Sequence, residues 1–431
     1  MPACDKWVAA AAGFADGGRG IARPAPRAPR PAPRAPRSGP RTQDFSLELF
    51  LKYGGRTMPR FLHTADWQIG RQYARFAPED ALALAEARLS AVERLADIAH
   101  QEAVDAVLVA GDVFDAQTVS DRTIRRLFNA MGAYAGPWVL IPGNHDAALA
   151  ESVWTRARRL GAVAANVHLA LSAQVMAFPE RGFAVLPAPL TQRQTAVDET
   201  AWFDHAVTAP GLVRVGLAHG SVQGVLAEGI DSPNPIAADR AGRAALDYLA
   251  LGDWHGTRRI DARTWYAGTP EQDRFKANDP GNVLLVDIPA VGAEPKVEVR
   301  AVGRHPWIEL EERLAVASDL ERTIARLQAL PELAVVDLSL AGELHLLGRQ
   351  QLEAALSVAE ARFRSLRTDL SRLRLQPTED DLAALRADGY VGRVIAELRE
   401  EQEGGNAELA REAMAILAAL LLETRGQGET A

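Results

Sequence analysis

The chain has 431 residues, of which 48% are hydrophobic and 24% charged, so it can build a large apolar core and is not disordered in bulk, and its formal net charge is −8. Its longest apolar run, 413–422, is ten residues, about half of the roughly 20 that a spanning helix needs, so no membrane protein is expected. The single cysteine, Cys4, excludes an internal disulfide framework and a cysteine-based zinc site, no segment has the layout of a secretion signal, and a reducing cytoplasm is the expected setting.

In chain order, residues 22–41 read ARPAPRAPRPAPRAPRSGPR, which cannot bury apolar surface and lacks many backbone donors. Residues 1–57 are therefore expected to form an extended tail. The tail reads as a linker or as translated sequence upstream of a start at Met58, the alternative being a basic arm for DNA or a partner. It holds ten Lys/Arg against four Asp/Glu, which leaves 38 against 52 for the other 374 residues, a net −14. An acidic body does not advertise a nucleic-acid binder, so a nucleic-acid substrate must be argued from a site.

From Arg60 short apolar runs alternate with amphipathic helices, the βαβ pattern. Strands are predicted over 60–65, 105–110 and 138–141, with helices over 78–103 and 120–134. Apolar runs at 167–171, 174–178, 183–186 and 213–218 read as a second sheet, and strands at 282–288 and 296–302 close this part. The expected fold class is α/β, two sheets flanked by helices, spanning 58–303. Beyond it, helix 318–330, strand 334–340, helix 347–366 and strand 372–376 predict a small α/β module over 304–378. Helices at 391–402 and 406–425, separated by Gly404 and Gly405, make a helical segment over 379–431. Residues 407–422 carry more apolar residues than one exposed face tolerates, so this helix is expected to dock on its own domain or on a partner. Arg349, Arg362, Arg364, Arg367, Arg372 and Arg374 read either as a basic face for a DNA backbone or as a solvated face balanced by Glu353, Glu360 and Asp369.

Five polar clusters fall where predicted strands give way to loops, the place where α/β folds build their sites. They are Asp66-Trp67-Gln68, Gly111-Asp112-Val113-Phe114-Asp115, Gly143-Asn144-His145-Asp146, His219 within Ala218-His219-Gly220, and Gly252-Asp253-Trp254-His255. A lone Asp or His at such a position is usually a turn or capping residue. Five together, all of metal-ligand type, are what a pair of divalent cations needs: a bridging carboxylate, for which Asp112 is suited, and oxygen and imidazole donors for each ion.

With these residues the sequence resembles the calcineurin-like metallophosphoesterases, whose order is D-x-H, GD-x-x-D, GNHD, H and GH-x-H. His63-Thr64-Ala65-Asp66-Trp67 with Gly111-Asp112-Val113-Phe114-Asp115 looks like the SbcD-like DNA repair exonuclease branch. The likeness covers about 59–302, with a weaker likeness to that branch's capping domain beyond. It implies a four-layer αββα sandwich. It also implies that Asp66, Gln68, Asp112 and His255 hold one ion, and that Asp112, Asn144, His219 and Asp253 hold another. His145 would protonate or stabilise the leaving oxygen, oriented by Asp115 or Asp146. Residues 269–275 resemble the stretch that shapes the substrate cleft, where Arg274 reads equally as a phosphate contact or a salt bridge.

Two positions depart from the pattern: Gln68 and Asp253 stand where the family has His. The seven ligands then offer five oxygen donors against two imidazoles, which favours manganese, or magnesium, over zinc. The resemblance implies a manganese-dependent DNA exonuclease or endonuclease in repair. Its partners would be a DNA substrate and an SMC-like (SbcC-type) coiled-coil ATPase on the C-terminal helices, with a homodimer also in view. Two other readings stay open: a phosphodiesterase for cyclic nucleotides or other small substrates, and a non-catalytic regulatory subunit with a degenerate site.

Overall fold

The structure, a computed structural model, describes residues 58–225, 233–378, 381 and 389–428. The tail expected over 1–57 lies outside the described residues. The strands of the main body, in chain order, are β1 (Arg60–Thr64), β2 (Ala106–Ala110), β3 (Trp138–Ile141), β4 (Val167–Leu169), β5 (Met176–Phe178), β6 (Phe183–Ala188) and β7 (Val213–His219). They continue with β8 (Ser221–Val222), β9 (Pro235–Ile236), β10 (Tyr248–Gly252), β11 (Arg258–Arg259), β12 (Thr264–Tyr266), β13 (Asn282–Asp287) and β14 (Lys296–Ala301).

Two six-stranded sheets result, ordered β14-β13-β1-β2-β3-β4 and β11-β12-β10-β7-β6-β5. The central strands β1, β2, β3, β7 and β10 are short apolar runs buried almost throughout, as parallel strands covered on both faces must be. Their inner faces meet through Phe61, Leu108 and Val139 on one side and Val185, Val215 and Ala250 on the other. Helices α1 (Pro78–Gln101), α2 (Asp121–Ala130) and α3 (Val153–Arg159) cover the first sheet, placing Val92, Leu95, Ile124 and Trp154 in one cluster with Leu62, Val107 and Leu140. A 3-10 turn at Ala201–His205 and the short α4 (Arg240–Arg243) cover the second. The chain is thus the expected sandwich of two sheets between helical layers.

Strand membership differs from expectation at two places. β4 lies in the first sheet, parallel to β3, because the α3 crossover returns the chain beside the strand it left. The β13–β14 hairpin also joins the first sheet, with Arg60 opposite Asp287 and an Arg60–Asp287 ion pair of 2.7 Å beside the ladder. Apolar runs announce strands but do not say which edge will receive them.

Beyond the sandwich, β15 (Trp307–Leu314), α5 (Ala317–Ala329), β16 (Val335–Leu344), α6 (Leu346–Arg362) and β17 (Ser365–Leu375) form a three-stranded parallel sheet with its helices, β15-β16-β17 in order. Trp307 seats this unit on the sandwich among Tyr73, Phe76 and Phe275, and Arg364 reaches Asp80 at 3.0 Å. Helices α7 (Gly389–Gln402) and α8 (Ala407–Gly428) pair through Ile395, Met414 and Ala418, against Leu346. Among the described residues no helix is long and apolar enough to cross a membrane.

One polar group ties the two sheets together. His63 of β1 is fully buried, its Nδ1 2.9 Å from the Tyr248 hydroxyl and its Nε2 3.2 Å from the Leu251 carbonyl oxygen, both on β10. A carbonyl only accepts, so Nε2 carries the proton and Nδ1 accepts from the tyrosine. Burial lowers the His63 pKa to about 3. The native imidazole therefore stays neutral while the unfolded one, near 6.5, takes up a proton, so stability falls as pH drops below about 6.5, at up to about 1.4 kcal/mol per pH unit until the native group titrates. Urea unfolding of the His63→Gln variant between pH 6 and 4 should show a shallower fall than the parent; equal slopes would mean that native His63 accepts the proton.

Candidate metal centre

All seven expected ligands, and His145 with them, lie at the carboxyl ends of parallel strands. Asp66 and Gln68 follow β1, Asp112 follows β2, Asn144 and His145 follow β3, His219 ends β7, and Asp253 and His255 follow β10. Turning short side chains back toward one point forces unusual backbone. Asp66, Gln68, Asp112, Asp253 and His255 all have positive φ, between 44° and 106°, which costs a non-glycine residue about 1–3 kcal/mol each. Strain of this kind gathered at one place is a mark of a functional site. Two glycines supply the clearance: a methyl group on Gly143 would press into the carboxylate and backbone nitrogen of Asp112, and one on Gly252 into the Ala110 carbonyl and His219.

Around His219 the donors converge. One carboxylate oxygen each from Asp66 and Asp112 and a ring nitrogen of His219 lie within 4.8 Å of one another, all buried. His219 Nδ1 sits 2.8 Å from the Ala110 carbonyl, which fixes a proton there and turns Nε2 toward the pocket. Nε2 has Asn144 Oδ1 at 3.1 Å, Asp112 Oδ1 at 3.6 Å and Asp253 Oδ1 at 3.7 Å. Burial disfavours a charged His219, but Asp112, Asp66 and Asp253 outweigh it and raise the pKa to about 9. Burial raises the Asp66 and Asp253 carboxyl pKa values as well. A group of anions this close is a place for a cation, and this half of the centre fits a divalent ion with oxygen donors and one imidazole.

Around His255 the donors are already engaged. The Gln68 amide oxygen accepts from Arg71, and its nitrogen stands 3.3 Å from His255 Nε2. Arg274 Nη2 lies 3.0 Å from His255 Nδ1 and 3.3 Å from Nε2. Asp273, buried and unmarked by sequence reasoning, accepts from Arg274 Nε at 2.9 Å, lies 3.3 Å from His255 Nδ1 and 3.2 Å from Arg71. Burial would raise its pKa, but His255, Arg274 and Arg88 hold the carboxyl well below the usual range. This half, as built, does not fit a metal.

His145 stands at the pocket mouth, its side chain 29% exposed. Its Nδ1 donates to the Asp115 carbonyl at 2.8 Å, so Asp115 orients the ring through its backbone, and Nε2 faces the pocket 3.9 Å from Asp112 Oδ2. Asp146 is placed elsewhere. Its carboxylate accepts from Gly143 N at 2.7 Å and Phe114 N at 3.0 Å and stitches two ligand loops together. Trp67 is core, donating to Thr64 Oγ1 and packed edge-on to Trp138. Trp254 is half-buried, with Lys276 Nζ 4.3 Å and Arg258 Cζ 5.4 Å from its ring.

Sequence reasoning also missed Arg88. This fully buried guanidinium on α1 donates to the carbonyls of Trp67 at 2.7 Å, Asp66 at 3.0 Å and Glu271 at 3.1 Å, and to Thr269 Oγ1 at 3.1 Å. An arginine inside an amphipathic helix gives no signal of its own; only the strained carbonyls it gathers reveal it.

Residues 59–286 match the family described as calcineurin-like phosphoesterase. Among curated proteins, the chain is 31% identical over 284 residues to the SbcD component of the SbcCD nuclease of Rhodobacter capsulatus, covering 55% of this chain and 68% of that one. It is 26% identical over 299 residues to the DNA double-strand break repair protein Mre11 of Aeropyrum pernix, covering 63% and 70%. It is also 26% identical over 242 residues to an uncharacterized metallophosphoesterase, YhaO, of Bacillus subtilis, covering 53% and 57%.

The close approach of Gly143 to Asp112 makes a direct prediction. Gly143→Ala should displace the Asp112 carboxylate and weaken Mn2+ binding about 10–100-fold, as loss of a ligand-orienting contact does. Titration calorimetry checks it, and unchanged affinity would show that Asp112 is not a ligand.

Proposed function

This chain belongs to the calcineurin-like phosphoesterase family, and from that premise we propose that it is a divalent-metal phosphodiesterase acting on DNA, a nuclease of repair. The observation that carries the hydrolytic part is the buried convergence of Asp66, Asp112 and His219 beneath a partly buried histidine whose Nδ1 is held by a backbone carbonyl. The DNA part is supported by the likeness to two relatives whose names are those of a nuclease component and a double-strand break repair protein.

In this reading Asp66, Asp112, Asn144, Asp253 and His219 Nε2 hold the metal, manganese by preference, magnesium as a substitute. When bound, such an ion polarises a phosphoryl oxygen and activates water near neutral pH. Asp66 is kept in place by the backbone N–H of Asp253, 3.2 Å from both its oxygens, and Asp112 by that of His145 at 2.9 Å. His145 delivers its Nε2 proton to the departing ester oxygen while Asp115 holds Nδ1. Lys276 and Arg258 beside Trp254 form a cationic rim near the mouth that suits a polyanionic strand despite the acidic body.

The same reading assigns 58–303 to catalysis, 304–378 to a cap and 379–431 to partner docking. It takes an SbcC-type coiled-coil ATPase as the partner, a homodimer as the nuclease assembly and the cytoplasm as its place. Leu409 and Ile416, exposed on α8, are the surface it offers that ATPase. The net −14 of residues 58–431 favours a second substrate class, small phosphodiesters such as cyclic nucleotides.

Asn144→Ala and Asp112→Ala should each abolish Mn2+-dependent phosphodiester hydrolysis, by at least about 100-fold, with the circular dichroism spectrum retained. Full activity in both would sink the assignment. Parallel assays on linear duplex DNA and on cyclic nucleotides decide the substrate: preference for the cyclic compounds overturns the nuclease reading while leaving the phosphodiesterase.

A further inference from the structure

We propose that this chain holds a single divalent ion, in the half of the centre around His219, and that the guanidinium groups of Arg71 and Arg274 stand where the resemblance places the second. The inference rests on the reading above only for what the arginines do to a phosphate; the number of ions stands by itself.

A neutral imidazole has one lone pair, and a metal needs it. At His255 the groups near the ring nitrogens are the Gln68 amide nitrogen at 3.3 Å from Nε2, Arg274 Nη2 at 3.0 and 3.3 Å from the two nitrogens, and Asp273 Oδ2 at 3.3 Å from Nδ1. Whichever ring nitrogen keeps the lone pair, an N–H donor stands against it: Arg274 Nη2 lies 3.0 Å from Nδ1 and 3.3 Å from Nε2, and the Gln68 amide nitrogen 3.3 Å from Nε2. Gln68 offers no alternative. Its oxygen already faces the Arg71 guanidinium, a fixed cation that a metal on the remaining lone pair would have to approach, and the amide nitrogen has no lone pair to give. Of the three residues the resemblance gives to this ion alone, Gln68 and His255 are engaged by cationic or amide donors, and Asp66 converges with Asp112 and His219 in the other half.

The arginines are anchored. Asp273, its side chain 1% exposed, accepts from Arg274 Nε at 2.9 Å and Nη2 at 3.0 Å, a bidentate pair, and lies 3.2 Å from Arg71 Nη1. Asp115 Oδ1 is 3.5 Å from the same Arg71 nitrogen. A second divalent ion would have to break these pairs and approach two fixed positive charges. A guanidinium cannot lose its proton near neutral pH, so the position stays cationic at every working pH. The side chains of Arg71 and Arg274 remain 25% and 43% exposed, open to a phosphate, and their planar forks match two oxygens of one phosphoryl group.

The full chain, freed of metal with chelator and equilibrated with MnCl2, should retain about one Mn2+ per chain by mass spectrometry after dialysis. Its electron paramagnetic resonance spectrum should be that of isolated ions. His255→Ala should keep that ion with affinity changed less than about threefold, whereas His219→Ala should lose it. The triple variant Gln68→His, Arg71→Met, Arg274→Met should gain a second ion with an exchange-coupled spectrum. Two ions in the parent, loss of the single ion in His255→Ala, or no second ion in a folded triple variant overturns the inference; if the triple variant does not fold, the parent count and His255→Ala decide alone. Hydrolysis of bis(4-nitrophenyl) phosphate, run alongside, separates the two readings. One ion without hydrolysis defeats the phosphodiesterase and keeps the inference, and two ions with hydrolysis does the reverse.

Discussion

Three carboxylates share a buried pocket around one imidazole, where their negative charges repel one another, and the surrounding structure is arranged to hold them there. Asp66, Asp112 and Asp253 surround His219, and burial raises the Asp66 and Asp253 pKa values, so a compact ionised pocket needs compensation. Part comes from the backbone, through the N–H groups of Asp253 and His145 that meet Asp66 and Asp112. The rest must come from a cation. Asp66, Asp112 and Asp253, all held at positive φ, add a standing cost that a cation at this point would offset.

Arg88 carries that arrangement outward. By drawing together the carbonyls of Asp66, Trp67 and Glu271 it fixes the strained turn after β1 to the segment that follows β12. Glu271 extends the link, since its carboxylate accepts from Arg304 N and His305 N, at the entry to the three-stranded unit, and pairs with Arg94 at 3.0 Å. Gln272 continues it to Trp307 N at 3.0 Å. The ligand turn and the seat of that unit are therefore two ends of one hydrogen-bonded segment.

What the sequence disclosed was set by range. The strands β1, β2 and β3 and the clusters that end them were legible because apolar runs, glycines and acidic residues are local signals. The second sheet's membership was not, because β4 and the β13–β14 hairpin choose partners by crossover geometry. The run that became β10 sits between polar stretches too short to mark it as a strand. The same limit applied at the centre: the family resemblance implied seven ligand positions, but how their donor atoms are engaged depends also on Arg71, Asp273 and Arg274, which carry no motif. Asp146 looked like a partner for His145 from adjacency alone, whereas its side chain turns inward to the amides of Gly143 and Phe114.

Gln68 gains its meaning in this setting. Taken alone, an amide in place of an imidazole is a weakened ligand. Beside Arg71 it is a group with both an acceptor and a donor, able to receive the guanidinium with its oxygen and to offer its nitrogen to His255 Nε2. An imidazole at that position has one lone pair and could not make both contacts while also binding a metal. The glutamine, the two arginines and Asp273 form one connected network of hydrogen bonds and ion pairs. The cations of this half are covalently tethered ones, Arg71 and Arg274, held by Gln68 and Asp273.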